Sequence, residues 1–154
     1  MKEFILHWFG GTSDVVYGEC IADAFRRAGY GGGAISALDY YEEVKKKSVS
    51  YKLFHCNILS DFCFRSLDEM RGMGKGDPSK TDYDMVYQGE IQVNEDFTID
   101  DILDKIFEVH NMPNRPMAKQ IRSMSVSDIV ELAENGDSKQ YYCCSVGFLP
   151  VKIL

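Results

Sequence analysis

Long apolar runs are missing from this 154-residue chain, and so is any excess of positive charge. No window approaches the ~20 consecutive apolar residues that a membrane-spanning helix needs. Lysine and arginine total 17 against 24 aspartates and glutamates, giving a net charge of −7. Proteins that grip a phosphate backbone usually carry the opposite sign, because cationic side chains supply most of that affinity. Direct nucleic-acid binding is therefore not expected. Histidine is scarce, with three in the chain. The five cysteines (Cys20, Cys56, Cys63, Cys143, Cys144) are odd in number and unevenly spaced. That pattern suits reduced thiols in a cytoplasm rather than a disulfide framework. The opening residues lack a small-residue cleavage site after their short apolar run, so no signal peptide is expected either.

What is present is core material. Hydrophobic residues make up 45% and aromatic residues 12% of the chain. A length of 154 residues fits one domain or two very small ones. The expected fold class is α+β, with small mixed or antiparallel sheets and two to three helices, arranged as one domain or two lobes. Lys2–Phe9 reads as a strand, Gly10-Gly11 as its turn, and Asp14–Gly18 as the returning arm of a hairpin. Ile21, Ala24, Phe25 and Ala28 recur at helical spacing, and Gly29 stands where a left-handed C-terminal cap is expected. Gly31-Gly32-Gly33 forms a turn, and Ala34–Val44 begins a second helix on this reading. Tyr51–Leu59 is strand-like and Ser60–Met70 is read as helical. Four glycine and proline positions from Gly72 to Pro78 mark a loop or linker. The domain expectation is thus an N-terminal lobe over 1–70, a glycine-rich connection over 71–82, and a second lobe over 83–154.

In that second lobe, Met85–Val93 alternates as a strand. The clearest helix follows, with an apolar stripe of Ile99, Ile102, Leu103, Ile106 and Phe107. Thr98 is placed to cap it, with Asp101 three residues on. Val126–Leu132, Tyr141–Ser145 and Pro150–Leu154 complete the strands, and Asn135-Gly136-Asp137 supplies a hairpin turn.

The run Arg122-Ser123-Met124-Ser125-Val126-Ser127-Asp128-Ile129-Val130-Glu131-Leu132, followed by Tyr141-Tyr142-Cys143-Cys144-Ser145-Val146-Gly147-Phe148, resembles the YodL-like pattern. That pattern is a serine-rich "SxSVSD" lead into an apolar strand, a short hairpin, and a paired-aromatic strand ending in Ser-x-Gly-Phe. The resemblance spans about Tyr83 to Val151. Cys144 departs from it, standing where a polar or acidic residue is expected. The resemblance implies a phage, plasmid or conjugative-element setting in Gram-positive bacteria, and no defined chemistry. The segments Ala28–Ala34 and Ala37–Tyr41 (AGYGGGA and ALDYY) are similar to those of short phage and plasmid proteins.

No catalytic set assembles from the sequence. Gly31–Gly33 follow a helix C-terminus, the wrong end for a phosphate loop. Gly72-Met73-Gly74-Lys75-Gly76-Asp77 lacks a Gly-Lys-Ser/Thr ending. His55-Cys56 and Cys143-Cys144 are adjacent on strands, so each pair points to opposite faces and neither chelates one ion. His110, at a helix C-terminus, is expected to sit there as a charge favoured by the helix dipole. Ser125, Ser127 and Asp128 are expected to satisfy local backbone groups. Neither a metal nor a cofactor is expected.

The feature left over is acidic clustering. Residues 77–108 hold ten carboxylates against two lysines, a local charge of −8. Asp96, Asp100, Asp101, Asp104 and Glu108 are the candidate partner-binding residues, with Asp100, Asp104 and Glu108 aligned at helical spacing. The functional expectation is a non-enzymatic binding protein of mobile-element origin. It would counter host defence by docking this acidic surface on the basic, nucleic-acid-binding face of a nuclease, such as a CRISPR–Cas effector or restriction enzyme. The alternative expectation is a module that sequesters a small nucleotide signal, with the glycine turns and Tyr30, Tyr40, Tyr41, Tyr141 and Tyr142 framing its pocket.

Overall fold

The computed structural model describes residues 1–154 and is α+β, built on two antiparallel sheets of three and five strands. It divides into two compact units, Met1–Lys47 and Ser48–Leu154. No helix is long and apolar enough to cross a membrane.

In the first unit, strands β1 (Lys2–Trp8) and β2 (Ser13–Gly18) form the expected hairpin, followed by helix α1 (Ile21–Arg27). Phe4, Leu6 and Val16 alternate inward and meet Ala24 of α1. The helix lies so close to β2 that a Cβ on Gly18 would fall 2.4 Å from the Ala24 nitrogen, so only glycine fits. At the other end of α1, Gly29 takes φ +82°, with the Tyr30 amide donating to the Phe25 carbonyl and the Gly29 amide to that of Arg26. This is the glycine cap expected from the sequence.

The chain after it departs from expectation. Ala34–Val44 is no helix: Gly32–Ala37 makes a short 3-10 turn and Leu38–Val44 is strand β3. β3 pairs with the open side of β1, giving the order β2-β1-β3. The aromatic and β-branched content of β3 and its cross-strand partners outweigh local helical propensity. Tyr40 stacks on His7 at 4.2 Å, and Glu42 bonds the His7 ring at 2.9 Å.

In the second unit, β4 (Lys46–Cys56) leads to α2 (Leu67–Gly72), then β5 (Tyr83–Asn94), α3 (Ile99–Val109), β6 (Ile129–Glu134), β7 (Asp137–Cys143) and β8 (Phe148–Val151). The sheet order is β5-β4-β6-β7-β8. The central strands are buried on both sides. Tyr51, Leu53, Val130, Leu132, Tyr141 and Cys143 face α3. Phe54, Cys56, Ile129, Tyr142 and Cys144 face Phe62, Leu67 and Met70. Hence neighbouring positions such as Ile129 and Val130 are both fully buried, as expected of strands covered on two faces. Asn135 and Gly136, both at positive φ, make the β6–β7 turn.

Several boundaries differ from the sequence reading, among them those of the strands β6 to β8. The glycine-rich stretch at 71–82 does not separate the units, because β4 pairs with β6 and so carries residues 48–70 into the second unit. Within that stretch Arg71 clamps Asp77 at 2.6 and 3.0 Å, and Ser79 and Asp82 form a capping box. The helix expected over Ser60–Met70 begins only at Leu67, after a series of turns.

Candidate functional site

Helix α3, with the turn before it, carries the residues singled out from charge. Its apolar stripe of Ile102, Leu103 and Ile106 is buried against the sheet. Thr98 and Asp101 form the expected capping box, the Thr98 amide donating to the Asp101 carboxylate at 2.9 Å and the Asp101 amide to Thr98 Oγ1 at 3.2 Å. The side away from the sheet therefore faces solvent. Asp96, Asp100, Asp101, Asp104 and Glu108 are all exposed.

They are not equivalent. Asp101 is occupied as the cap, and the Thr98 amide and hydroxyl hold its carboxyl below the usual carboxylate value. Glu108 pairs with Lys105 at 3.1 Å, offsetting its unfavourable place near the helix C-terminus. Asp96, Asp100 and Asp104 have no hydrogen-bond or ion-pair partner in the chain. Elsewhere in the acidic stretch Asp77 is held by Arg71, Asp82 by its cap, and Glu90 by the hydroxyls of Ser48 and Ser50. Half of the ten carboxylates thus have internal partners.

Behind this surface lies a network that sequence reasoning saw only in part. Asp128 is completely buried. Arg122 donates to both its oxygens at 2.7 Å, and the amides of Cys56 and Ser125 donate at 2.9 and 2.8 Å. Its own carbonyl accepts from the Cys143 amide. The serine-rich lead is a turn, not a strand: Ser127 sits at φ +85°, so β6 starts three residues later than expected. Ser127 Oγ accepts from the amide of Phe64, itself at φ +64°, and the Ser127 carbonyl accepts from Tyr83. Arg122 lies over the Phe64 ring at 5.1 Å. Two residues in a costly backbone conformation are therefore locked to each other. Ser127 and Asp128 do satisfy backbone groups, but from segments more than sixty residues away as well as their own turn. Arg122 was part of the quoted motif, yet nothing in the spacing revealed it as the partner of Asp128.

No group of three or more His, Cys, Asp or Glu side chains is placed to hold a metal ion. Burial pushes the thiols of Cys56 and Cys63 up, and that of Cys143 to about 12, which favours the unreactive protonated form. His55 is buried with Nε2 unpartnered, 3.8 Å from Asp128. His110 corrects the dipole expectation. It is 1% exposed, bonded to Tyr51 at 2.8 Å, and burial holds its pKa at about 4, so it is neutral near pH 7.

The tyrosines divide between the two units. Tyr141 and Tyr142 belong to the core of the second unit. Tyr40 stacks on His7, whereas Tyr30 and Tyr41, with Gly31 and Gly32, line a groove of about 560 Å³ in the first unit.

No curated protein and no solved structure matches the chain. The model of one family, described as the YodL-like domain, matches residues 47–153. This span is longer than the Tyr83–Val151 stretch carrying the sequence resemblance. It begins at the boundary where β4 opens the second unit, and it includes Arg122, Ser127 and Asp128. Residues 1–46 lie outside the match, and the similarity expected there is not shown. By the match over residues 47–153, the chain belongs to the YodL-like domain family.

Proposed function

We propose that this protein is a non-enzymatic binding module whose α3 face engages a basic surface on a partner protein. The observation that carries this reading is Asp100 and Asp104 on the helix and Asp96 in the turn before it, all exposed and without internal partners, while Ile102, Leu103 and Ile106 on the opposite face are buried in the core. Lys105, next to that face, already pairs with Glu108. Complementary charge accelerates encounter and fixes register. The partner class that fits a mobile-element protein acting in the bacterial cytoplasm is a host defence nuclease, engaged through its nucleic-acid-binding surface. A CRISPR–Cas effector or a restriction enzyme is such a target.

The test is a binding titration of the full chain against purified effectors and restriction nucleases at 50 and 500 mM salt. The expected result is a complex that weakens with salt, competes with the nuclease's own nucleic acid, and is lost in Asp100→Lys/Asp104→Lys. Binding that survives this double charge reversal overturns the assignment of the face. Failure to inhibit any nuclease panel member, alongside salt-sensitive binding to another basic protein, overturns the partner class alone.

A further inference from the structure

We propose that the groove of the first unit is a binding site for a small molecule with a flat apolar ring and one negative charge. The groove lies between α1, the glycine turn and β3, and has a volume of about 560 Å³. That is within the ~300–1,000 Å³ range of small-molecule sites and too small for a protein element.

Its walls are pre-formed. Phe25, Tyr30 and Trp8 pack on one another at 5.2–6.2 Å between ring centres. The Tyr30 hydroxyl and the Trp8 indole both donate to Asp14, at 2.7 and 2.8 Å, which fixes the Tyr30 ring before any ligand arrives. Opposite them stand Tyr41 and Ile35, 48% and 63% exposed, apolar surface left open to water. Gly31 has nothing within 4 Å of where a Cβ would be, so the floor is bare peptide that a planar ring can approach closely.

The charge comes from α1. Arg26 lines the groove, and it shares the single carboxylate of Asp23 with Arg27. With one carboxylate shared between two guanidiniums, the exposed Arg26 head at the groove mouth keeps donors free for an anionic group. An anionic group is the complement to that mouth, and a stacked ring is the complement to the walls. The proposal involves only the first unit and is independent of the α3 reading.

Two dyes test it on the full chain: 1-anilinonaphthalene-8-sulfonate, which carries a flat naphthalene ring and one negative charge, and its neutral counterpart N-phenyl-1-naphthylamine. Fluorescence titration is paired with amide chemical shifts. The expected result is saturable one-site binding of both dyes, with shifts confined to residues 21–41 and tighter binding of the sulfonate. Arg26→Gln, at a side chain 80% exposed and so harmless to folding, should weaken the sulfonate ~3–5-fold and leave the neutral dye unchanged. Ile35→Glu should weaken both. No saturable binding, or shifts centred in 48–154, overturns the site. Equal loss of both dyes in Arg26→Gln, or no loss, overturns the anionic specificity.

Discussion

Replacing Asp128 by alanine is the perturbation to which the second unit should respond most. Its carboxylate accepts four hydrogen bonds, two from Arg122 and one each from the Cys56 and Ser125 amides, at 2.7–2.9 Å with no exposure to water. Alanine strands two amide donors, at ~1–3 kcal/mol each, and unpairs a guanidinium whose partner was buried. Breaking such a pair by removing one member costs roughly 3–5 kcal/mol. Arg122 is 32% exposed and recovers some hydration, so the lower half of that range applies. The terms overlap, and a total of about 3–4 kcal/mol is expected, against the ~5–15 kcal/mol that folded domains usually hold. The assay is urea unfolding followed by far-UV circular dichroism. With a denaturant slope of ~1–2 kcal/mol per molar, the midpoint should fall by roughly 1.5–4 M. A double change of Arg122 and Asp128 to leucine should not recover it, because the two amides stay unpaired whatever replaces the ion pair. A midpoint within about 0.5 M of the parent would refute the view that this carboxylate holds the unit together.

Three further outcomes follow from the same geometry. Asp101→Ala removes the N3 arm of the α3 capping box and should cost about 1 kcal/mol in a thermal melt, whereas Asp104→Ala should change stability by less than ~0.5 kcal/mol; equal effects would contradict the division of the acidic face. His110 has its folded pKa held at about 4 against an ordinary 6.5. The unfolded chain binds the proton first, so stability is complete above about pH 6.5 and declines as pH falls toward 4. The loss is up to ~3 kcal/mol, with buried His55 shifting the same way. Carboxylate titration begins lower. A denaturation midpoint flat from pH 7 to 5, or a decline undiminished in His110→Gln, would therefore defeat this account. Gly18→Ala forces α1 off β2 and should cost ~1–3 kcal/mol, read by fluorescence of Trp8, the single tryptophan, in the same core cluster; an unchanged transition would show the packing to be looser than drawn.

How much of this was legible in the sequence depends on the range of the physics involved. Helix α3 was readable to its cap because every determinant lies within four residues: the apolar stripe, Thr98 and Asp101. The Gly29 cap and the Asn135-Gly136 turn were readable for the same reason. β3 was misread because its preference is set by β1, thirty residues upstream, which supplies the pairing edge and the His7 ring under Tyr40. The unit boundary was misplaced likewise. Glycine density marked 71–82, but β4 enters the sheet beside β6, some eighty residues downstream, and that pairing decides where residues 48–70 belong. At the candidate site, the exposed acids were found by charge alone. Which of them are already occupied was not, since the Glu108–Lys105 pair depends on side-chain geometry.

The motif that carries the sequence resemblance has a structural meaning, and this bears on where function should be sought. Its last serine and its aspartate lie in the interior, where Ser127 and Asp128 join β4, the turns before α2, and β7 into one hydrogen-bonded knot. Such a knot explains why Phe64 and Ser127 tolerate positive φ: each strained residue gives the other a partner that an extended backbone would withdraw. It gathers no metal-ligand set. A resemblance built on these residues therefore transmits a fold, the five-stranded sheet with its two covered faces, and leaves activity unspecified. What can distinguish this protein from others sharing the knot must lie at positions the knot does not constrain. Those are the solvent side of α3, where Asp96, Asp100 and Asp104 are free of structural duty, and the first unit, which lies outside the family match and carries its own core and groove. Substitutions in the knot should thus lower the amount of folded protein without changing what it binds, while substitutions on these two surfaces should change binding at constant fold.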